Sequence, residues 1–158
     1  MRRQDWLLLV LNAADGAKMS PAQVQKTVFL VGRRRPVGDD FYEFKPDAYG
    51  PFCIDIVHDA QRLDDQGFAR VVHDRRHINP DYCVTVKGHR RALELEETLD
   101  VESRDYVHKI VEWAMQLDFK GLVASVNAAY PEFAVNSVFR SRQDPEAKPD
   151  RDPTHAAT

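Results

Sequence analysis

The stretch from residue 51 to residue 88, PFCIDIVHDAQRLDDQGFARVVHDRRHINPDYCVTVKG, decides the fold. Its first part places Cys53, Ile56, Val57, Ala60 and Leu63 on one stripe with helical spacing, and the stripe stops at Gly67. The remainder holds two β-rich runs, 68–72 and 82–86, joined by the polar residues 73–80, which is the pattern of an antiparallel hairpin with a long, basic tip. Thr85 then stands where an N-cap belongs, so a fourth helix is expected to follow directly, with Ala92, Leu95 and Leu99 facing inward.

Upstream, Ser20 is an N-cap, Pro21 suits the first helical position and Gln23 completes a capping box. The spacing predicts a second helix from 21 to about 31 that stops at Gly32, after which residues 33–40 read as a solvated loop. Residues 5–14 read as a first helix, but Leu7, Leu8, Leu9 and Leu11 make the segment apolar all round, so a buried strand also fits. Residues 41–45 are aromatic and alternating enough for a short strand, and the Tyr49-Gly50-Pro51 turn is expected to open the third helix, with Pro51 as its first residue. Downstream, Asp100 caps a fifth helix with Val107, Ile110, Val111, Ala114 and Leu117 on its face, and Asp118 caps a sixth that Pro131 ends or kinks. Residues 140–158 carry three prolines, many charges and no large apolar side chain, and are expected to be a disordered tail behind a domain spanning 1–139. The order of elements is that of an α+β, mainly helical, winged-helix-like module with a β-hairpin wing and a helical C-terminal extension.

The chain has 158 residues, 43% of them hydrophobic and 30% charged, with a mean hydropathy of −0.51. Folding at that length buries about 70% of the unfolded chain's surface, which supports one core and excludes a largely disordered or collagen-like chain. The longest apolar run, residues 6–11, is far below the ~20 residues that cross a bilayer, and it is too short for a secretory signal, so no membrane association and a cytoplasmic location are expected. Two cysteines, Cys53 and Cys83, are too few for a disulfide framework. The net charge of −3 divides unevenly: residues 1–91 hold 15 basic against 12 acidic side chains, and residues 92–158 hold 7 against 13.

Val24-Gln25-Lys26-Thr27-Val28-Phe29-Leu30 resembles the LQKLLYL second helix of Panacea-type domains and their YwgA-like relatives, with Thr27-Val28 in place of two large aliphatics. Tyr49-Gly50-Pro51-Phe52 is similar to the YGP turn of that family, Gln66-Gly67-Phe68 to the lead into its hairpin, and Tyr82 to Gly88 to its YxLTxKG passage. Tyr130-Pro131-Glu132 with Asn136-Ser137 resembles the YwgA-like C-terminal segment. The resemblance spans roughly residues 20–139 and implies a winged-helix-like fold and a role as an antitoxin or proteolytic adaptor that acts through protein contacts. It brings no catalytic residue.

The residues themselves give no catalytic or cofactor signature. There is no C-x-x-C pair to support zinc binding by Cys53, His58, His73, His77 and Cys83, and none of the seven glycines forms a phosphate-binding motif. Cys53 lies on a buried stripe beside Asp55, an environment that disfavours a thiolate. Two binding surfaces are therefore in competition. Arg33, Arg34 and Arg35 with Tyr42, Phe44, Tyr49 and Phe52 have the arginine and aromatic composition of a protein interface, suited to a partner of the toxin or protease-adaptor type. Arg75, Arg76 and His77 at the hairpin tip could instead hold duplex DNA, as in a transcriptional regulator. The third helix counts against DNA, since Asp55, Asp59, Asp64 and Asp65 face a single Arg62 where phosphates would lie. The protein interface is the preferred reading.

Overall fold

The computed structural model describes residues 1–138. It is α+β and mainly helical, with six α-helices, a closing 3-10 turn and two separate two-stranded antiparallel hairpins among the described residues. The expected tail over 140–158 lies outside them.

Helix α1 (Arg3–Ala13) settles the ambiguity of the leucine-rich segment. Trp6, Leu7, Leu8, Leu9, Val10 and Leu11 are all buried, because α1 runs through the middle of the molecule with four further helices and a strand, Asp81–Val84, packed around it. A helix that is apolar on every side is stable only when surrounded in this way. The other helices are α2 (Pro21–Arg34), α3 (Ile54–Asp65), α4 (Val86–Glu96), α5 (Val101–Met115) and α6 (Phe119–Ala129). Each expected N-cap is present: Ser20 Oγ accepts from the Gln23 amide at 3.2 Å, Thr85 Oγ1 from Gly88 at 2.9 Å, Asp100 from Ser103 at 2.9 Å and Asp118 from Gly121 at 2.7 Å.

Strands β3 (Ala69–Val72) and β4 (Asp81–Val84) form the expected long hairpin, in the register Ala69 opposite Val84 and Val72 opposite Asp81. Met19, just before α2, bridges to Tyr82 through two backbone hydrogen bonds of 2.8 and 2.9 Å, tying the hairpin to the start of α2.

Three expectations are corrected. Helix α2 does not stop at Gly32 but continues through Arg33 and Arg34, and ends at Arg35, immediately before Pro36. Gly32 is there for contact, since a Cβ at this position would collide with the ring of Phe41. Residues 41–44 are irregular, and the strand starts at Lys45: β1 (Lys45–Asp47) pairs with β2 (Gly50–Phe52), with Pro46 opposite Pro51. Pro51 therefore lies in a strand, and α3 begins only at Ile54, with Cys53 as its N-cap. This short β1–β2 hairpin is held from outside. Asn136 Nδ2 donates to the Pro46 carbonyl at 3.4 Å and the Val138 amide to the Ala48 carbonyl at 2.8 Å, so the segment after α6 braces its outer edge.

Candidate functional site

The seven residues expected to form one arginine and aromatic surface are divided by the structure. Arg33 lies within 5.2–5.4 Å of the ring centres of Phe29, Tyr130 and Phe133 and pairs with Glu132 at 3.3 Å. Arg34 Nε donates to the Tyr130 hydroxyl at 3.2 Å. Arg35 Nε donates to Ser103 Oγ at 2.9 Å, and its guanidinium pairs with Asp100 at 3.2 Å and Glu102 at 3.7 Å. Far from standing in a solvated loop, the three arginines fasten the end of α2 to the C-terminal turn and to the start of α5. Tyr42 is buried, and its hydroxyl donates to Asp59 at 2.8 Å. Burial and that carboxylate hold the Tyr42 phenol well above its ordinary range. Phe44 is half-buried, edge-on to Phe29 with ring centres 5.2 Å apart. Arg33, Tyr42 and Phe44 nevertheless meet at one open cleft of about 320 Å³, together with Phe29, Phe41 and Phe133, and Tyr49 and Phe52 belong to a second open feature.

That feature is a cleft of about 370 Å³ between the first two turns of α2, the β1–β2 hairpin and the first residue of α6. Its position follows from the way the hairpin is seated. Gln25, buried on α2, clamps the chain entering α3: its Nε2 donates to the Cys53 carbonyl at 3.0 Å and its Oε1 accepts from the Cys53 amide at 2.9 Å. Lys26, the next residue, is also buried and donates from Nζ to the Pro51 carbonyl at 3.1 Å. Gly50 turns the chain at φ +93°, and a Cβ there would sit 2.5 Å from Asn127 Oδ1 of α6, so the hairpin and α6 meet at a position where only glycine fits. Asn127 is fixed in turn by a 3.0 Å bond from its Nδ2 to Ser137 Oγ.

The walls of the cleft are mainly apolar. Tyr49 and Phe119 stand at its rim, 45% and 43% exposed, with their rings edge-to-face at 5.1 Å. Phe52, Pro21 and Ala22 continue the apolar lining, and Lys26 and Asp47 supply its charges. Burial pushes the Lys26 ammonium down to about 8, opposed only in part by the field of Asp47. No carboxylate among the described residues lies within ion-pair distance of Lys26, and Pro51 supplies its one hydrogen-bond acceptor there.

The β3–β4 hairpin tip borders the cleft through Asn79, which joins its lining. Arg75, Arg76 and His77 are exposed, Arg76 pairs with Asp74 at 3.2 Å, and Ile78 beside them is 98% exposed. The third helix is also less acidic outwardly than its composition suggests. Asp59 is buried and receives Arg3 Nε at 3.0 Å and Arg62 Nη1 at 2.8 Å, Asp55 pairs with Arg3 at 3.1 Å, and Asp64 accepts from the Val71 amide at 2.8 Å. Its exposed residues are Ile54, His58, Gln61, Arg62 and Asp65, so Asp59 is withdrawn from the surface and Asp55 is paired with Arg3, while Asp65 stays exposed. Cys53 is buried at the α3 N-cap, Cys83 half-buried on β4, and both are free thiols. Among the described residues no cluster of three or more His, Cys, Asp or Glu side chains could hold a metal ion, and no helix is long and apolar enough to cross a membrane.

Gln25, Lys26, Phe119 and Asn127 were not apparent as site residues in the sequence. No sequence signal marked them: Val24 to Val31 are all buried once neighbouring elements cover α2, and the polar residues in that run then find partners inside the molecule. Compared with known proteins, the sequence matches no family model and no curated protein.

Proposed function

We propose that this chain works by binding a partner protein, and that a segment of the partner docks in the cleft between α2, the β1–β2 hairpin and α6. One observation carries the reading: an apolar cleft is rimmed by two exposed, mutually packed aromatic rings and floored by a buried cation. Aromatic side chains at the centre of an apolar patch are the residues that most often dominate binding energy. A volume of about 370 Å³ is within the range of specific ligand sites and holds one or two side chains, a scale suited to anchor residues of a peptide segment. The likeness of residues 24–30 and 49–52 to Panacea-type motifs supports an antitoxin-like or adaptor-like role, since those domains act through protein contacts.

The test is site-specific photo-crosslinking in the native host, with a benzophenone side chain at position 49 or 119 and, as a control, at Leu93, which is exposed on α4. The expected result is one polypeptide captured from positions 49 and 119 but not from 93, with the capture from position 49 lost in a Phe119→Ala background. Equal capture from all three positions would refute the assignment of the cleft.

The exposed Ile78 flanked by Arg75, Arg76 and His77 favours a second reading, in which the hairpin tip grips duplex DNA with an apolar side chain between basic ones. Under it, Arg75→Ala with Arg76→Ala would flatten the slope of log affinity against log salt by about one to two. Under the preferred reading, the protein does not bind duplex DNA tightly at 150 mM salt.

A further inference from the structure

The chemistry of the cleft narrows what the partner presents. We infer that the site recognises the C-terminal residue of a polypeptide, taking its free α-carboxylate on the Lys26 ammonium and its apolar side chain between Tyr49, Phe52 and Phe119. This rests on the protein-binding reading and specifies the group bound.

An ammonium has three N–H donors, and Lys26 uses one, on the Pro51 carbonyl. Holding that carbonyl requires no charge. A neutral amide does the equivalent job next door, where Gln25 satisfies both the amide and the carbonyl of Cys53. A buried cation with donors left over and no carboxylate within ion-pair distance is expensive unless an anion completes it. The same wall adds a smaller attraction. Ser20, Pro21 and Ala22 line the cleft at the positive end of the α2 dipole; the capping box satisfies the Ser20 and Gln23 amides and Pro21 has none, so Ala22 supplies the one first-turn amide without an acceptor in the helix.

The anion is a monoanion on an apolar body. Among the described residues Lys26 is the only basic side chain lining the cleft, and Asp47 opposes a second negative charge, so a phosphate dianion is poorly matched. The remaining lining is mostly proline, alanine and aromatic surface, which requires apolar groups close to the charge. A C-terminal residue such as Phe or Leu carries both on a single Cα, and the cleft's volume accepts one such residue with the preceding peptide unit.

The experiment uses the full chain labelled with nitrogen-15, titrated with N-acetyl-L-phenylalanine and, separately, with its carboxamide. The acid is expected to bind in the millimolar range and to shift the amide signals of Ala22, Gln25, Gly50 and Phe52. The carboxamide should bind about tenfold more weakly, the loss of one charge-assisted hydrogen bond. Lys26→Met should bring the acid down to the level of the carboxamide and leave the latter unchanged. Should that variant not fold, Phe119→Ala, on the exposed rim, should weaken both probes together. Equal binding of acid and carboxamide would overturn the carboxylate inference and leave the protein-binding reading standing, and so would the absence of shifts from either probe at 20 mM, since crosslinking judges that reading independently. N-acetyl-Phe-Asp-amide, whose only carboxylate is on a side chain, binding as well as N-acetyl-Ala-Phe acid would overturn the assignment to a chain terminus.

Discussion

Replacing Lys26 by methionine keeps the length and apolar stem of the side chain and removes its charge, and the consequence should be visible in the pH dependence of stability. The Lys26 ammonium is lowered from its ordinary 10.5 to about 8 by burial. In the unfolded chain the group keeps its proton until pH 10.5, whereas in the native state it loses it near 8, so between these values the unfolded state binds more protons and native stability rises with pH. At pH 7 both states are protonated and the native state bears the cost of the buried charge, about 3 kcal/mol at about 1.4 kcal/mol per pKa unit. By pH 9.5 most of that cost is relieved, and wild type should gain about 2 kcal/mol relative to Lys26→Met. The upper limit is set by the tyrosines: Tyr42, Tyr82 and Tyr106 have phenols raised by burial, and the stability they contribute is lost above about pH 10, where they would ionise in the unfolded chain. Urea unfolding of both proteins at half-unit steps from pH 7 to 9.5 isolates the effect, because every other titrating group is common to the pair. Parallel curves would refute the reasoning and show that Lys26 is solvated in solution.

Gly50→Val should destabilise by about 2–4 kcal/mol, through its positive φ and the collision of Cβ with the buried Asn127, and an unchanged melting temperature would mean that the hairpin can shift away from α6. Asp59→Asn should cost about 2–3 kcal/mol in denaturant unfolding, because the carboxylate receives Tyr42, Arg3 and Arg62 at once and an amide oxygen cannot serve all three. A loss below about 0.5 kcal/mol would show that solvent takes over the arginines.

What the sequence made legible was the local chemistry of chain reversal. Ser20, Thr85, Asp100 and Asp118 announce helix starts because each side chain satisfies an amide of its own first turn, an interaction that needs no knowledge of the rest of the fold. The same rules fail where the partner is distant. Residues 45–52 contain Pro46 and Pro51 directly opposite one another, and proline weakens any reading of a strand, since it donates nothing to a ladder. The hairpin is held from two sides, by Lys26 and Gln25 of α2 on Pro51 and on Cys53 just after it, and by the segment 136–138 on Pro46 and Ala48. Arg33 to Arg35 looked solvated for a related reason. Gly32 and Pro36 are helix-stopping signals, and the partners that hold Arg33, Arg34 and Arg35 beyond the first of them, Glu132, Tyr130 and Ser103, are about 70 to 100 residues away in the chain.

The candidate site was illegible for the same physical reason that makes it interesting. Lys26 reads in sequence as an ordinary polar residue of an amphipathic helix, and its burial follows only once the β1–β2 hairpin is laid over α2. The motif segments that are far apart in the chain, residues 24–30, 49–52 and 130–137, then converge: Gln25 and Lys26 hold the strand leading to Cys53, Gly50 admits Asn127, and Asn127 fixes Ser137. The Gln25–Cys53 and Asn127–Ser137 hydrogen bonds join neutral groups to neutral groups. Lys26 differs because it brings a full charge to a bond that an amide could make. A cation kept in an apolar cleft under these conditions is stabilised by whatever anion enters, and the exposed Tyr49 and Phe119 rings determine that the anion arrives on an apolar group.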